Sequence, residues 1–131
     1  MAQPLDLLKQ DNARRRESEH RRHPRYRLNL VVHIRLSSGE LIKTMAVDIS
    51  STGVYVEYAA SAEPGKVFPL VFDLSFANNF QRVYVKAEVV RSIMIGDRDV
   101  YGIAFRFVEF ARDSNMVLKQ YLEYRASRQI I

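Results

Sequence analysis

Two groups of residues in this 131-residue chain have the types and spacing to bind a ligand. The first is Arg21-Arg22-His23-Pro24-Arg25, and the second is Asp48-Ile49-Ser50-Ser51-Thr52-Gly53. In an extended segment Arg21 and Arg25 are separated by an even number of residues and face the same way. Pro24 fixes its own φ and biases His23 toward extended geometry, so the arginines sit on a stiff strap. A guanidinium can pair bidentately with phosphate or with the O6/N7 edge of guanine, and it can stack on a base plane. Asp48 and Ser50, two apart at a strand end, are expected to share a face. The carboxylate can accept N–H donors and the hydroxyl can take either role. Gly53 is expected to supply a positive φ and to permit close approach of a base or backbone. Each group also has a plain reading: a solvated charge run for the first, and a strand ending in a polar turn for the second. Together they suit a guanine nucleotide, whose phosphates only accept and whose base both accepts and donates. A polyanion track would have no use for Asp48.

Other chemistry finds little support. No two of His20, His23 and His33 stand at the i,i+4 spacing of a metal-binding helix. There is no glycine-rich phosphate loop and no nucleophile elbow, and nothing near Ser50 reads as its general base. A non-enzymatic protein with no metal and no cofactor is expected. The absence of cysteine excludes disulfides and thiolate metal sites.

Charge sharpens the picture. The formal charge is +5, which suits an anionic partner. Residues 1–27 hold eight basic and four acidic side chains, a net +4, leaving +1 for residues 28–131. The basic character therefore sits in a leading arm. Met1–Gln10 contains Asp6 and no long apolar run, unlike a signal peptide. No stretch approaches the ~20 apolar residues of a membrane span. A cytoplasmic location without membrane insertion is the expectation.

The elements that must position these groups are mostly strands. Residues 1–18 are polar and without apolar period, and read as a flexible arm. From Asn29 the pattern alternates, with Leu30, Val32, Ile34 and Leu36 on one face. Ser37–Glu40 reads as a hairpin turn. The next strand, 41–50, places Leu41, Lys43, Met45, Val47 and Ile49 on one face, with Lys43 as the exception. Pro64-Gly65 marks a turn, and Pro69 argues that the strand from Val67 is an edge or carries a bulge. Ala77–Asn79 is a turn. The run from Phe80 is long enough to cross a barrel wall with a bend, and Gly96–Asp99 is a tight connection. Ile103, Phe105 and Phe107 share a face of the last strand. A helix is predicted over 114–127, capped by Asp113 or Ser114, with Val117, Leu118, Tyr121, Leu122 and Arg125 at helical spacing. Six or seven short strands without intervening helices indicate a closed or nearly closed antiparallel barrel. The expected partition is an arm (1–18), a barrel with its strap (19–112), and a helix with its tail (113–131).

At these residues the chain resembles the PilZ family, whose two signatures are RxxxR and (D/N)xSxxG. Both are matched without departure, at Arg21–Arg25 and at Asp48–Gly53, in the family's order and with the arginine strap just before the first strand. "AEVVRSI" and "YGIAFRFVEF" also resemble the family's later strands, so the resemblance covers about residues 19–125. It implies an all-β fold, a six-stranded antiparallel barrel with a C-terminal helix and a flexible N-terminal arm. It also implies cyclic dimeric GMP (c-di-GMP) as ligand. By this analogy Arg21 and Arg25 hold phosphates and guanine, Asp48, Ser50 and Gly53 line one guanine, and Arg22 assists. His20 stands just before the motif, where ligand stoichiometry can be influenced. Arg91 is a weaker candidate for a further contact, as are Arg16 and Arg27.

The resulting expectation is a receptor whose arm folds over its ligand and which signals to a separate effector protein. Two rivals remain. A single-strand-binding barrel would use a basic groove and stacked aromatics, and Tyr55, Tyr58, Tyr84 and Tyr101 are available. The near-neutral body and the acidic Asp48 fit that role poorly. A ligand-independent interaction module is the second rival, although this chain retains both motifs.

Overall fold

The structure is a computed structural model that describes residues 23–97 and 99–128. Six antiparallel strands close a barrel: β1 (Tyr26–Arg35), β2 (Leu41–Ile49), β3 (Gly53–Tyr58), β4 (Val67–Phe76), β5 (Asn79–Met94) and β6 (Tyr101–Phe110). Around the barrel the order is β1-β2-β3-β6-β5-β4. One helix, α1 (Ser114–Arg128), follows. The arm assigned to residues 1–18, together with His20, Arg21 and Arg22, lies outside the described residues.

Closure follows from alternation. In β1, Val32 and Ile34 turn inward and are buried, with Leu28 and Leu30 partly so. In β6 the inward residues are Ile103, Phe105 and Phe107, all buried. Strand β5 crosses the wall with two irregularities, between Lys86 and Ala87 and between Val89 and Arg91. These bulges let sixteen residues bend around the barrel. The β1–β2 turn contains Gly39 at φ 90, a left-handed conformation that suits glycine.

Two expectations are corrected. In β2 the inward residues are Thr44 and Ala46, while Leu41 and Met45 are exposed. Counting apolar residues selected the opposite phase. Thr44 can be buried because its hydroxyl donates to the Val32 carbonyl at 2.8 Å, which removes the desolvation penalty. A register shift between Ala46 and Asp48 then restores Ile49 to the interior. Strand β4 is neither an edge nor bulged: all ten of its residues ladder onto β5, Pro69 included, opposite Lys86. Its ladder with β1 is short, Leu70–Ile34 and Val71–His33. Pro69 stands at the margin of that short seam. The β4–β5 pairing is further pinned outside by Arg82, whose Nε donates to Asp73 at 2.8 Å. The guanidinium holds the Asp73 carboxyl below the usual carboxylate range.

The barrel end that carries the start of β1 and the end of β2 is closed by α1. Leu118 and Tyr121 are buried there, and the Phe76 ring meets Tyr121 edge-on at 5.7 Å and Tyr124 at 5.9 Å. The helix start is clamped rather than capped by Ser114: its buried hydroxyl accepts from the Tyr84 amide at 2.9 Å. The helix is thus a lid on the core. Replacing Leu118 with Ala is expected to cost about 2–4 kcal/mol of folding stability, seen as a lower urea midpoint. Met116→Ala on the exposed face of the same helix should stay within about 0.5 kcal/mol of the parent.

Candidate functional site

The second motif forms the β2–β3 connection at the α1 end of the barrel. Strand β2 ends at the buried Ile49, and β3 begins at Gly53. The Ser50 amide donates to the Gly53 carbonyl at 2.9 Å. The Ser50 hydroxyl accepts from the Thr52 amide at 3.2 Å and lies 3.2 Å from the Thr52 hydroxyl. A serine side chain here replaces a backbone turn contact, and Ser50 is buried in doing so. The Thr52 carbonyl accepts from the Phe107 amide at 2.8 Å, which ties the turn to β6.

Of the two reasons expected for Gly53, close approach of backbone applies and a positive φ does not. Its φ is not positive; the glycines with positive φ are Gly39, Gly65 and Gly96. A Cβ at Gly53 would instead collide with the Phe105 carbonyl oxygen. The glycine lets β3 approach β6 more closely than any side chain allows. Ser50 is likewise corrected. It lies beyond the strand end, turned inward, and does not share the partly exposed surface of Asp48.

Asp48 projects at the rim. The register shift beside it in β2 is matched by one in β1 between Arg27 and Leu30. Arg25, on the last residue before β1, reaches across and donates from its terminal nitrogen to Asp48 Oδ1 at 2.9 Å. The two side chains are 39% and 27% exposed, so the ion pair is screened and contributes at most ~1 kcal/mol. Beside it, His23 Nδ1 lies 2.9 Å from the Ser51 hydroxyl. The strap residues His23 and Arg25 are therefore docked on the turn, each through one polar contact.

The two motifs meet at one rim, as far as the described residues reach. Arg91 lies elsewhere on the same outer surface. Pairing runs Arg27–Asp48–Tyr55–Ala104–Arg91 across β1, β2, β3, β6 and β5. At ~4.8 Å between neighbouring strands, Arg91 stands about 14 Å from Asp48 along that row. Arg27 is adjacent to Asp48 in register and exposed.

Sequence reasoning did not assign site roles to three neighbours. Tyr55, next to Asp48 in the row, lies flat across β6, its hydroxyl filling the space a Cβ on Gly102 would occupy. Arg106 is in register with Gly53 and donates to Glu88 Oε1 at 2.6 Å. Arg125 of α1 donates to the Arg27 carbonyl at 2.6 Å. The alternation of "GIAFRF" places Arg106 outside, but only the register puts it beside Gly53. No local signal joins Arg125 to Arg27.

The surface near the site is concave on one side. A groove of about 400 Å³ runs between strap, turn and helix, lined by His23, Pro24, Ser51, Leu118 and Leu122 among others. A wider hollow of about 760 Å³ opens at the opposite barrel end, where Leu36, Ile42, Tyr58 and Phe68 make an apolar mouth without motif residues. Among the described residues no cluster of histidine, aspartate or glutamate could hold a metal ion. Nor is any helix among them long and apolar enough to cross a membrane.

No curated protein matches the chain, but solved structures do. The Bacillus subtilis inhibitor of motility (MotI/DgrA) superposes with a TM-score of 0.74 at 23% identity, covering 86% of this chain and 54% of that one. The Klebsiella MrkH–c-di-GMP complex gives 0.67 at 20% identity, over 84% of this chain and 55% of that one. The PilZ domain of Escherichia coli YcgR, solved with c-di-GMP, gives 0.60 at 12% identity, over 84% and 95%. The chain spans about half the length of the first two. These likenesses show a shared fold. The PilZ domain model itself matches residues 19–124. A match that runs from just before the strap, through turn and barrel, into the closing helix establishes that this chain belongs to the PilZ domain family.

Proposed function

We propose that the chain is a non-enzymatic c-di-GMP receptor. The observation that carries this reading is the contact of Arg25 with Asp48 across the two motifs, on top of the Ser50–Gly53 turn. Support comes from the family and from its structural neighbours YcgR and MrkH, which were solved with c-di-GMP. Arg21 and Arg25, assisted by Arg22, hold the phosphates and the acceptor edge of guanine. Asp48 accepts from the guanine N1–H and N2–H. Ser50 and Gly53 serve the ligand through the turn, the hydroxyl by holding its shape and the glycine by keeping β3 against β6. His20 bears on stoichiometry, and Arg91 would be reached only by a ligand extending along the outer row.

The Arg25–Asp48 pair suits exchange. A phosphate competes with the Asp48 carboxylate for the same guanidinium, while guanine offers the carboxylate N–H donors in return. Each new charge-assisted bond is worth about 1.5–3 kcal/mol, more than the exposed pair it replaces. On this reading the arm closes over the ligand, and the arm, ligand and rim together present a surface to a separate effector protein. The protein acts in the cytoplasm, where c-di-GMP is found.

Titration calorimetry tests the proposal. c-di-GMP should bind with micromolar or tighter affinity. Arg25→Ala and Asp48→Ala should each weaken binding roughly ten- to a hundredfold, the range of one charge-assisted hydrogen bond. Preferential binding of a single-stranded oligonucleotide with steep salt dependence would sink the proposal, and silence toward both ligands would favour a ligand-independent interaction module. Gly53→Ala forces the Phe105 carbonyl to move. It should both lower the thermal midpoint and weaken c-di-GMP, whereas Ser51→Ala, which loses one exposed contact to His23, should leave the midpoint within ~2 °C, as for an ordinary surface substitution.

A further inference from the structure

We infer that Arg125 of α1 is a positioning residue for the arginine strap, so that the C-terminal helix is part of the binding unit as well as a lid on the core. The ligand half of this inference rests on the c-di-GMP reading above.

The guanidinium of Arg125 makes two short hydrogen bonds in different directions. One terminal nitrogen donates to the Tyr121 hydroxyl at 2.6 Å, one helical turn back. The other donates to the Arg27 carbonyl at 2.6 Å, on β1. Its carbon lies 5.5 Å from the Tyr26 ring centre and 5.7 Å from that of Tyr121, within reach of a cation–π contact. Both tyrosines are buried. The guanidinium is thus held by two buried rings and a hydroxyl, and its other terminal nitrogen is aimed at one backbone oxygen.

The location of that oxygen gives the contact its consequence. Arg27 is two residues after Arg25 and is in register with Asp48. The β1–β2 ladder is irregular just beyond it, between Arg27 and Leu30. On its other side β1 is laddered to β4 only at His33 and Ile34. The root of the strap is therefore laddered on one side only, through Tyr26–Ile49 and Arg27–Asp48, and the ladder is interrupted just after it. Arg125 adds a charge-assisted bond to a segment that has a strand partner on the β2 side and none on the β4 side. The cation also sits in the last turns of α1, where the helix dipole favours it. Fixing the Arg27 peptide fixes the direction in which Arg25 leaves the strand, and with it the approach to Asp48.

Two measurements on the full chain test this. The first needs no nucleotide. In Arg125→Ala, amide hydrogen exchange at Arg25–Leu28 should accelerate roughly tenfold, as for loss of one charge-assisted bond, with the β4 and β5 amides unchanged. The second is c-di-GMP calorimetry. Arg125→Ala should bind roughly tenfold more weakly, and Arg125→Lys, which keeps a donor for the carbonyl, should recover most of the affinity. By linkage, c-di-GMP should slow exchange in α1 of the parent chain and not in Arg125→Ala. If the alanine variant binds as the parent does and its strap amides exchange normally, the inference is overturned. Loss of protection throughout helix and barrel, with no rescue by lysine, overturns it too, because Arg125 would then only anchor the helix. Should the parent ignore c-di-GMP, the nucleotide reading fails while the exchange at Arg25–Leu28 still decides the role of Arg125.

Discussion

Gly53 stands so close to the Phe105 carbonyl that no Cβ fits between them, and the barrel end that carries the second motif is built on that approach. It brings the first residue of β3 against β6, and the Thr52 carbonyl can then take the Phe107 amide. With both sides of the connection fixed, the turn has room for one arrangement, in which Ser50 folds inward onto Thr52. Asp48 is left at the rim because the strand that carries it must end there. A position that tolerates no side chain thus bears on where a charged side chain stands, from Gly53 back to Asp48 across the turn.

The rim itself is held by weak forces, and this is physically consistent. Arg25 and Asp48 are joined, yet both remain partly exposed, and water screens what Coulomb attraction would otherwise give. A buried version of the same pair would be costly to break, since separating it would leave an unpaired charge in low dielectric. An exposed pair orients its partners without locking them. The rigid component lies beneath, in Ile49, Val54 and Phe105, all buried. Precision comes from backbone packing and exchangeability from the surface ion pair, and the two properties are carried by different atoms.

Much of this was legible in the residues, for reasons that also mark the limit. The inward face of β1 and of β6 follows from uninterrupted alternation, and the helix from its apolar spacing. The motifs could be paired because each carries complementary hydrogen-bonding character. What failed was parity. In β2 the apolar residues Leu41 and Met45 outvoted Thr44, whose burial depends on a carbonyl of another strand. The bulge before Asp48 changes the face of everything after it, and no residue type there announces a bulge. Gly53 was recognised as special, but a positive φ and a close approach leave the same letter in the sequence. Pro69 was read as an edge signal, and a closed barrel has no edge to offer it.

Arg125 shows a further kind of illegibility, and its position bears on how the fold links its parts. It stands 98 residues from Arg27 in sequence, on an element that alternation and spacing assign to lid duty. Both termini of the domain core nevertheless converge on one barrel end: the start of β1 through Tyr26 and the end of α1 through Arg125. The turn that carries the second motif lies at the same end. The strap's root and the helix are bonded to each other at that end, through Arg125 and the Arg27 carbonyl. A ligand gripping Arg25 would pull on the peptide that Arg125 holds. If the ligand reading holds, the helix would feel events at the strap alongside β1 and β2, because it shares a hydrogen bond with the Arg27 peptide at the strap's root.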